Sequence, residues 1–169
     1  TLITPNGKRT FPKDKFDWKP LFDNIKLTLE LMQDDYVIVI FTNQKALSAR
    51  DDPDQEFKDF FEKVHNVMKF YNVTEYAIYA AVKDNNFRKP MTGMYNKFLV
   101  DHSISREFIK KDSFYCGDAA GRIRLNVFKQ DFSSSDYNFA CNIGLAFKLP
   151  EELFNIPITK KDQYYISNK

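Results

Sequence analysis

Three residues far apart in this 169-residue chain carry side chains that together could hold a phosphate ester. Thr42 offers a hydroxyl, Lys89 an ammonium and Asp118 a carboxylate, and each follows a run of strand-forming residues. A hydroxyl and an ammonium can bind phosphoryl oxygens, while a carboxylate suits a hard cation such as Mg²⁺ that neutralises the same charge. Asn43 and Arg88 stand beside the first two, and Arg122 closes the loop that Asp118 opens. These three are the candidates for substrate contacts, and Asp118 is the candidate metal ligand. Taken singly, Lys89 reads as a solvated surface lysine and Asp118 as a turn or capping residue. Their common place after successive strands is what makes a site of them.

The elements that must position them come next. Val37-Ile38-Val39-Ile40-Phe41 is apolar at every position and ends in Thr42-Asn43-Gln44, the pattern of a parallel strand buried on both faces. In open α/β sheets the ligand crevice lies beyond such strand ends. A helix is expected before this strand, from Asp23 to about Gln33. The helix after it is clearer. Asp52-Pro53-Asp54-Gln55 supplies an N-cap, a proline at the first helical position and a capping-box glutamine. Phe57, Phe60, Phe61, Val64, Val67, Met68 and Tyr71 then fall at helical spacing as a core stripe. A second strand runs from Thr74 to Val82, and Thr92 can cap a helix carrying Met94, Tyr95, Phe98 and Leu99. Ser113 to Cys116 is a third strand, Asp136 to Ile143 a fourth helix and Leu145-Ala146-Phe147 a last strand. Strand alternating with helix predicts an α/β fold with a parallel sheet and helices on both faces.

Composition narrows the class. Hydrophobic residues make up 43% and charged residues 28%, with 17 Phe and 9 Tyr against 5 Gly, as expected of one globular domain with a filled interior. A net charge of +2 does not by itself argue for nucleic acid. Cys116 and Cys141 form neither a metal spacing nor a disulfide framework, which favours a reducing, intracellular compartment, nuclear or cytoplasmic. No apolar run reaches membrane-spanning length and no signal peptide is expected. Pro5-Asn6-Gly7-Lys8 is a turn that can join two short strands as a hairpin. Lys8, Arg9, Lys13 and Lys15, with Phe11, Phe16 and Trp18 between them, could line a nucleic-acid groove, though a solvated flap with rings tucked inward, and Trp18 as a core plug, explains them as well. His65 reads as exposed, His102 lacks a nucleophilic partner in any known motif, and Cys116 reads as a small buried strand residue.

Four stretches carry a resemblance. Thr1-Leu2-Ile3, Phe41-Thr42-Asn43-Gln44, Arg88-Lys89-Pro90-Met91-Thr92-Gly93-Met94 and Gly117-Asp118-Ala119-Ala120-Gly121-Arg122 resemble, in order, the motifs of the polynucleotide kinase 3′-phosphatase family. That family belongs to the haloacid dehalogenase-like phosphohydrolases. Asp131 to Asp136 and Asn142 to Leu145 resemble its closing segment. The resemblance implies a three-layer α/β sandwich with a mainly parallel, Rossmannoid sheet. It implies a phosphatase domain over residues 1–157, followed by a polar tail over 158–169. It also implies Mg-dependent removal of 3′-phosphate from DNA ends, in DNA repair, through an aspartyl-phosphate. In this scheme Thr42 binds phosphoryl oxygen, Lys89 neutralises the phosphate and steadies the nucleophile, and Asp118 binds metal. Arg88 touches the substrate backbone. Asp131 or Asp136 can orient neighbouring groups, with helix capping the favoured role for Asp136. The resemblance leaves open whether a kinase domain or repair partners accompany the domain in the full-length protein.

Two departures follow. The family's first motif is Asp-x-Asp-Gly-Thr, in which the aspartates are nucleophile and acid/base, and this sequence begins at its threonine. Both aspartates and their strand are expected before Thr1, in a longer protein. The glycine-bearing loop the family has after its central strand is replaced here by Lys45-Ala46-Leu47-Ser48-Ala49-Arg50. A DNA-end binding pseudoenzyme and a small-metabolite phosphatase of the same superfamily are the alternative functions.

Overall fold

The computed structural model describes residues 1–8, 12–109, 111–124, 131–157 and 164–166, with backbone alone at Arg124 and 164–166. It divides into two compact units, Thr1–Lys83 and Asp84–Lys169.

In the first unit, β1 (Ile3–Thr4) pairs antiparallel with β2 (Lys19–Pro20). The turn expected after β1 is present, with Gly7 at φ 85°, a left-handed conformation that costs glycine little. It does not make a tight hairpin, because the partner strand lies beyond a long loop. The buried Asp17 carboxylate closes that loop, accepting the Asn6 amide at 3.2 Å and the Lys13 amide at 2.9 Å. After α1 (Ile25–Met32), strand β3 (Ile38–Asn43) runs parallel to β4 (Tyr76–Ala81), with Ile38 opposite Tyr76 and Asn43 opposite Ala81. The crossover between them is a short 3₁₀ stretch, Lys45–Ala49, and α2 (Pro53–Phe70).

The helix forms for the reasons its sequence states. Asp52 accepts the Gln55 amide at 3.1 Å, Pro53 occupies the first turn, and Asp54 and Glu56 face the positive helix end. The reciprocal half of the expected capping box is absent, since the Gln55 side chain donates to Asp59 instead. Phe60, Val67, Met68 and Tyr71 bury with Ile25 and Leu29, while Phe61 at the edge of the stripe is exposed. The expectation for β3 needs correction. It is half-buried along its length and Val37 before it is 77% exposed. Among the described residues β3 has one hydrogen-bonded neighbour, so its other edge gains no cover from a ladder.

In the second unit, α3 (Gly93–Asp101) buries Met94, Tyr95, Phe98 and Leu99 as expected. The Thr92 hydroxyl accepts from the Asn96 side chain and caps no backbone amide. β5 (Phe114–Cys116) leads to β6 (Arg122–Arg124), α4 (Ser135–Ile143), β7 (Ala146–Lys148) and the short α5 (Pro150–Leu153). β5 and β7 are parallel, Tyr115 opposite Phe147. The segment expected as a polar tail contributes β8 (Tyr164–Ile166), antiparallel to β6. Two tyrosines and an isoleucine are strand formers, and the lysines around them masked that signal. Residues 158–163 and 167–169 of that expected tail lie outside the described residues. Among the described residues no helix is long and apolar enough to cross a membrane.

Two outcomes test this packing. Asp52→Ala is expected to destabilise the protein by about 1 kcal/mol in urea unfolding, the usual worth of such a cap. Burial pushes the Tyr71 phenol from 10.0 up to about 12. The folded state therefore favours the neutral phenol, a contribution complete below pH 10 and lost as pH rises from 10 to about 12. Tyr71→Phe should flatten the fall in stability across that window, and an unchanged slope would show the phenol is not buried.

Candidate active site

The chemistry-bearing residues of the second unit gather around the short segment 131–136. β5 ends at Cys116, and the Gly117 amide extends its ladder to the Lys148 carbonyl at 3.3 Å. The loop that follows is laced amide by amide to that segment. Ala119 donates to Asp136 Oδ2 at 3.0 Å, and Ala120 and Arg122 donate to Asp131 Oδ2 at 3.2 and 3.1 Å. Between them Gly121, at φ 69°, donates to the Ser133 carbonyl at 2.9 Å. In the reverse direction the Asp136 amide donates to the Ala119 carbonyl and the Asp131 amide to the Arg122 carbonyl, each at 2.9 Å. Asp118, half-buried, opens this loop. Its position is set by four consecutive fastened amides.

Lys89 reaches the same segment from the other side. Its Nζ donates to Asp136 Oδ1 at 2.6 Å and to the Tyr115 hydroxyl at 2.8 Å, and that hydroxyl donates to Asp136 Oδ1 at 3.1 Å. The side chains of Lys89 and Asp136 are 9% and 8% exposed. An ammonium so enclosed needs a carboxylate beside it, because an unpaired buried charge is costly. Burial first, then the Asp136 charge, push the Tyr115 phenol well above its ordinary value, so it stays protonated and able to donate. Gly117 makes room for this arrangement. A Cβ there would lie 2.5 Å from Asp136 Cβ, Cγ and Oδ2.

Arg122, expected at the substrate, is turned inward and 5% exposed. Its Nε donates to Asp131 Oδ2 at 2.7 Å, Nη1 to Glu151 Oε1 at 2.9 Å and Nη2 to the Asp118 carbonyl at 3.2 Å. Burial opposes its charge, but Asp131 and Glu151 more than offset this and hold the guanidinium above its ordinary value. Arg88 pairs through Nε with Asp84 at 3.0 Å, and among the described residues its buried Nη1 has no hydrogen-bond partner. Thr42 and Asn43 end β3 in the first unit, where Gln44 Nε2 donates to the Thr42 hydroxyl at 2.9 Å. The structure thus brings Lys89, Arg122 and the Asp118 loop onto one segment, while Thr42 and Asn43 belong to the first unit.

The remaining candidates are less engaged in chemistry. Lys15 is tied to Asp59 at 3.1 Å and Glu62 at 2.7 Å, and Trp18 packs edge-on against Phe70 at 5.6 Å. These two serve the fold, as in the flap reading; Arg9 and Phe11 lie outside the described residues. His65 and His102 are exposed, and His102 leans on Phe98. Burial pushes the Cys116 thiol up to about 12, which keeps it inert. Among the described residues no group of three or more His, Cys, Asp or Glu is placed to hold a metal. Asp136 was expected as a helix cap, and it is instead a buried anchor inside the first turn of α4. Tyr115 and Glu151 carried no sequence signal of their own.

This architecture has a counterpart among phosphatases. The crystal structure of D,D-heptose 1.7-bisphosphate phosphatase from B. bronchiseptica, complexed with magnesium and phosphate, matches 95% of this chain and 86% of that one. The TM-score is 0.60 at 18% identity, so the likeness is one of fold: α/β and haloacid dehalogenase-like. The family is shown by sequence. The model of the polynucleotide kinase 3 phosphatase family matches residues 1–154, and the chain belongs to that family. It is 38% identical over 157 residues to a bifunctional polynucleotide phosphatase/kinase of Schizosaccharomyces pombe, covering 91% of this chain and 35% of that one. It is also 34% identical over 163 residues to an uncharacterized 20.8 kDa protein of Autographa californica nuclear polyhedrosis virus, covering 94% and 82%. The chain thus spans about a third of the yeast relative and most of the viral one.

If Asp136 is the anchor described, Asp136→Ala strands the Lys89 ammonium and releases the Ala119 amide. The expected loss is about 3–5 kcal/mol of unfolding free energy, read in urea. A cost within the range of ordinary surface substitutions would contradict the pairing.

Proposed function

We propose that this chain is the phosphatase domain of a polynucleotide 3′-phosphatase, which removes the phosphate from 3′ ends of DNA in repair. Family membership over residues 1–154 supports the substrate class. The observation that carries the chemistry is that one segment, 131–136, fixes both an enclosed ammonium, Lys89, and the loop that opens with Asp118. A cation donor and a metal-binding carboxylate set at fixed positions are what a phosphoryl group needs, since charge, more than covalent rearrangement, dominates that transfer.

Lys89 is the group that meets phosphoryl charge. Asp136 and Tyr115 orient its ammonium, and Tyr115, kept neutral, accepts one of its hydrogens. The Thr42 hydroxyl, at the end of β3, donates to a phosphoryl oxygen, and Asn43 beside it contacts the substrate. Arg88 meets the polynucleotide backbone, its Nε held by Asp84 at 3.0 Å. The inward ion pairs of Arg122 favour a part in shaping the loop over contact with substrate. The attacking carboxylate and its acid/base partner belong to the Asp-x-Asp-Gly part of the first motif, of which this sequence carries the threonine that follows.

Asp118 would hold Mg²⁺. The donor chemistry fits, because Mg²⁺ keeps several waters and takes only one or two carboxylates together with phosphate oxygens. A half-buried aspartate on a fastened loop suffices on the protein side. When bound, the cation supplies charge neutralisation at the phosphoryl oxygens. In the full-length protein the domain is joined to a kinase, as the phosphatase/kinase name of the yeast relative suggests.

Release of phosphate from a 3′-phosphorylated oligonucleotide, compared with sugar phosphates, tests this reading in the protein carrying the complete first motif. The oligonucleotide should be strongly preferred. Asp118→Asn should abolish turnover, and Lys89→Ala should lower it at least about 100-fold, the scale of losing one preorganised donor. Equal or better turnover of sugar phosphates would replace the polynucleotide reading with a metabolite phosphatase. Binding of DNA ends without turnover would replace it with a pseudoenzyme.

A further inference from the structure

We propose that Glu151, which lies outside every motif noted above, is a positioning residue for Asp118. It acts through Arg122, holding the metal-binding loop in shape before the cation arrives. The inference rests on the phosphatase reading for the role of Asp118.

The geometry is that of one rigid fork tying three segments. The Arg122 guanidinium spans Asp131, Glu151 and the Asp118 carbonyl, each through a different nitrogen. Its planarity couples the three contacts, so fixing two nitrogens fixes the direction of the third. Asp131 binds Nε, close to the pivot, and leaves the far end of the fork able to swing. Glu151, presented by the first turn of α5, binds Nη1 and removes that freedom. What remains determined is Nη2, and with it the carbonyl of Asp118. Among the described residues the other Glu151 oxygen, Oε2, is buried without a hydrogen-bond partner, so the carboxylate's side-chain bond there is the one to Arg122.

Charge balance explains why this role is separable from stability. Without Glu151 the guanidinium keeps Asp131 at 2.7 Å as counterion, so the buried charge is still paired. The change falls on orientation: Asp118 would then have to be ordered when the cation binds, and ordering at that moment weakens binding.

The test uses Mn²⁺ as the probe in the full-length protein, without nucleic acid. Mn²⁺ affinity is read by electron paramagnetic resonance, and loop order by amide hydrogen exchange of the metal-free protein. Glu151→Ala should weaken Mn²⁺ binding about tenfold, the low end for a partner outside the ligand sphere. It should also speed exchange at 118–122 while leaving α3 protected. Glu151→Gln, whose amide oxygen can still accept from Nη1, should recover much of both, and it carries the test if the alanine variant does not fold. The proposal is overturned by a Glu151→Ala protein with wild-type Mn²⁺ affinity, whether its exchange is unchanged or faster evenly across the second unit. It is equally overturned if Mn²⁺ binding does not depend on Asp118. A protein that binds Mn²⁺ as expected yet releases no 3′-phosphate counts against the proposed activity alone.

Discussion

The shared carboxylate of Asp136 is the contact on which the second unit's chemistry depends. It accepts from Lys89, Tyr115 and the Ala119 amide, using both oxygens, and lies in the positive first turn of α4. Burial makes the Lys89–Asp136 pair all-or-none, because removing either member leaves a charge enclosed without compensation. Gly117 is part of the same constraint, since a side chain there would occupy the space of the carboxylate.

The proposed function draws on what this contact couples. Lys89 stands in the loop that leaves β4, and Asp118 follows β5, so nothing in chain order relates this ammonium to this carboxylate. The segment 131–136 relates them by fastening both, with Asp131 and Arg122 completing the far side. In the proposed reaction such preorganisation would remove the cost of arranging charges around a phosphoryl group. The inward turn of Arg122 belongs to the same economy of form. A guanidinium that bridges two carboxylates and a carbonyl, with one bond through each nitrogen, shapes the loop.

Much of the fold was legible in the chain because the signals were local. The cap at Asp52, the stripe of α2, the apolar run of β3 and the polar loops after β3, β4 and β5 are each written within a few residues. The motif resemblance drew on the same local strings. What escaped was set by distance. β1 pairs with Lys19–Pro20 because Asp17 folds a loop back on itself, and β8 reaches β6 across many residues. Asp136 has the sequence context of an N-cap, three serines before an acid, and only the approach of Lys89 and Tyr115 gives it another role. Arg122 looked like a substrate contact because it closes the loop that Asp118 opens. Asp131 and Glu151, nine and 29 residues on, turn it inward.

The central claim is that Lys89 and Asp118 serve one phosphoryl group from positions fixed by the segment 131–136. A crystal structure of the full-length protein with Mn²⁺ and a phosphate-mimicking anion tests it most directly, the metal being located by its anomalous scattering. The account predicts a Mn²⁺ ion ligated by the Asp118 carboxylate, an anion in contact with both that ion and Lys89 Nζ, and the Lys89–Asp136 pair intact. A metal held away from Asp118, or an anion bound where Lys89 cannot touch it, would contradict the account.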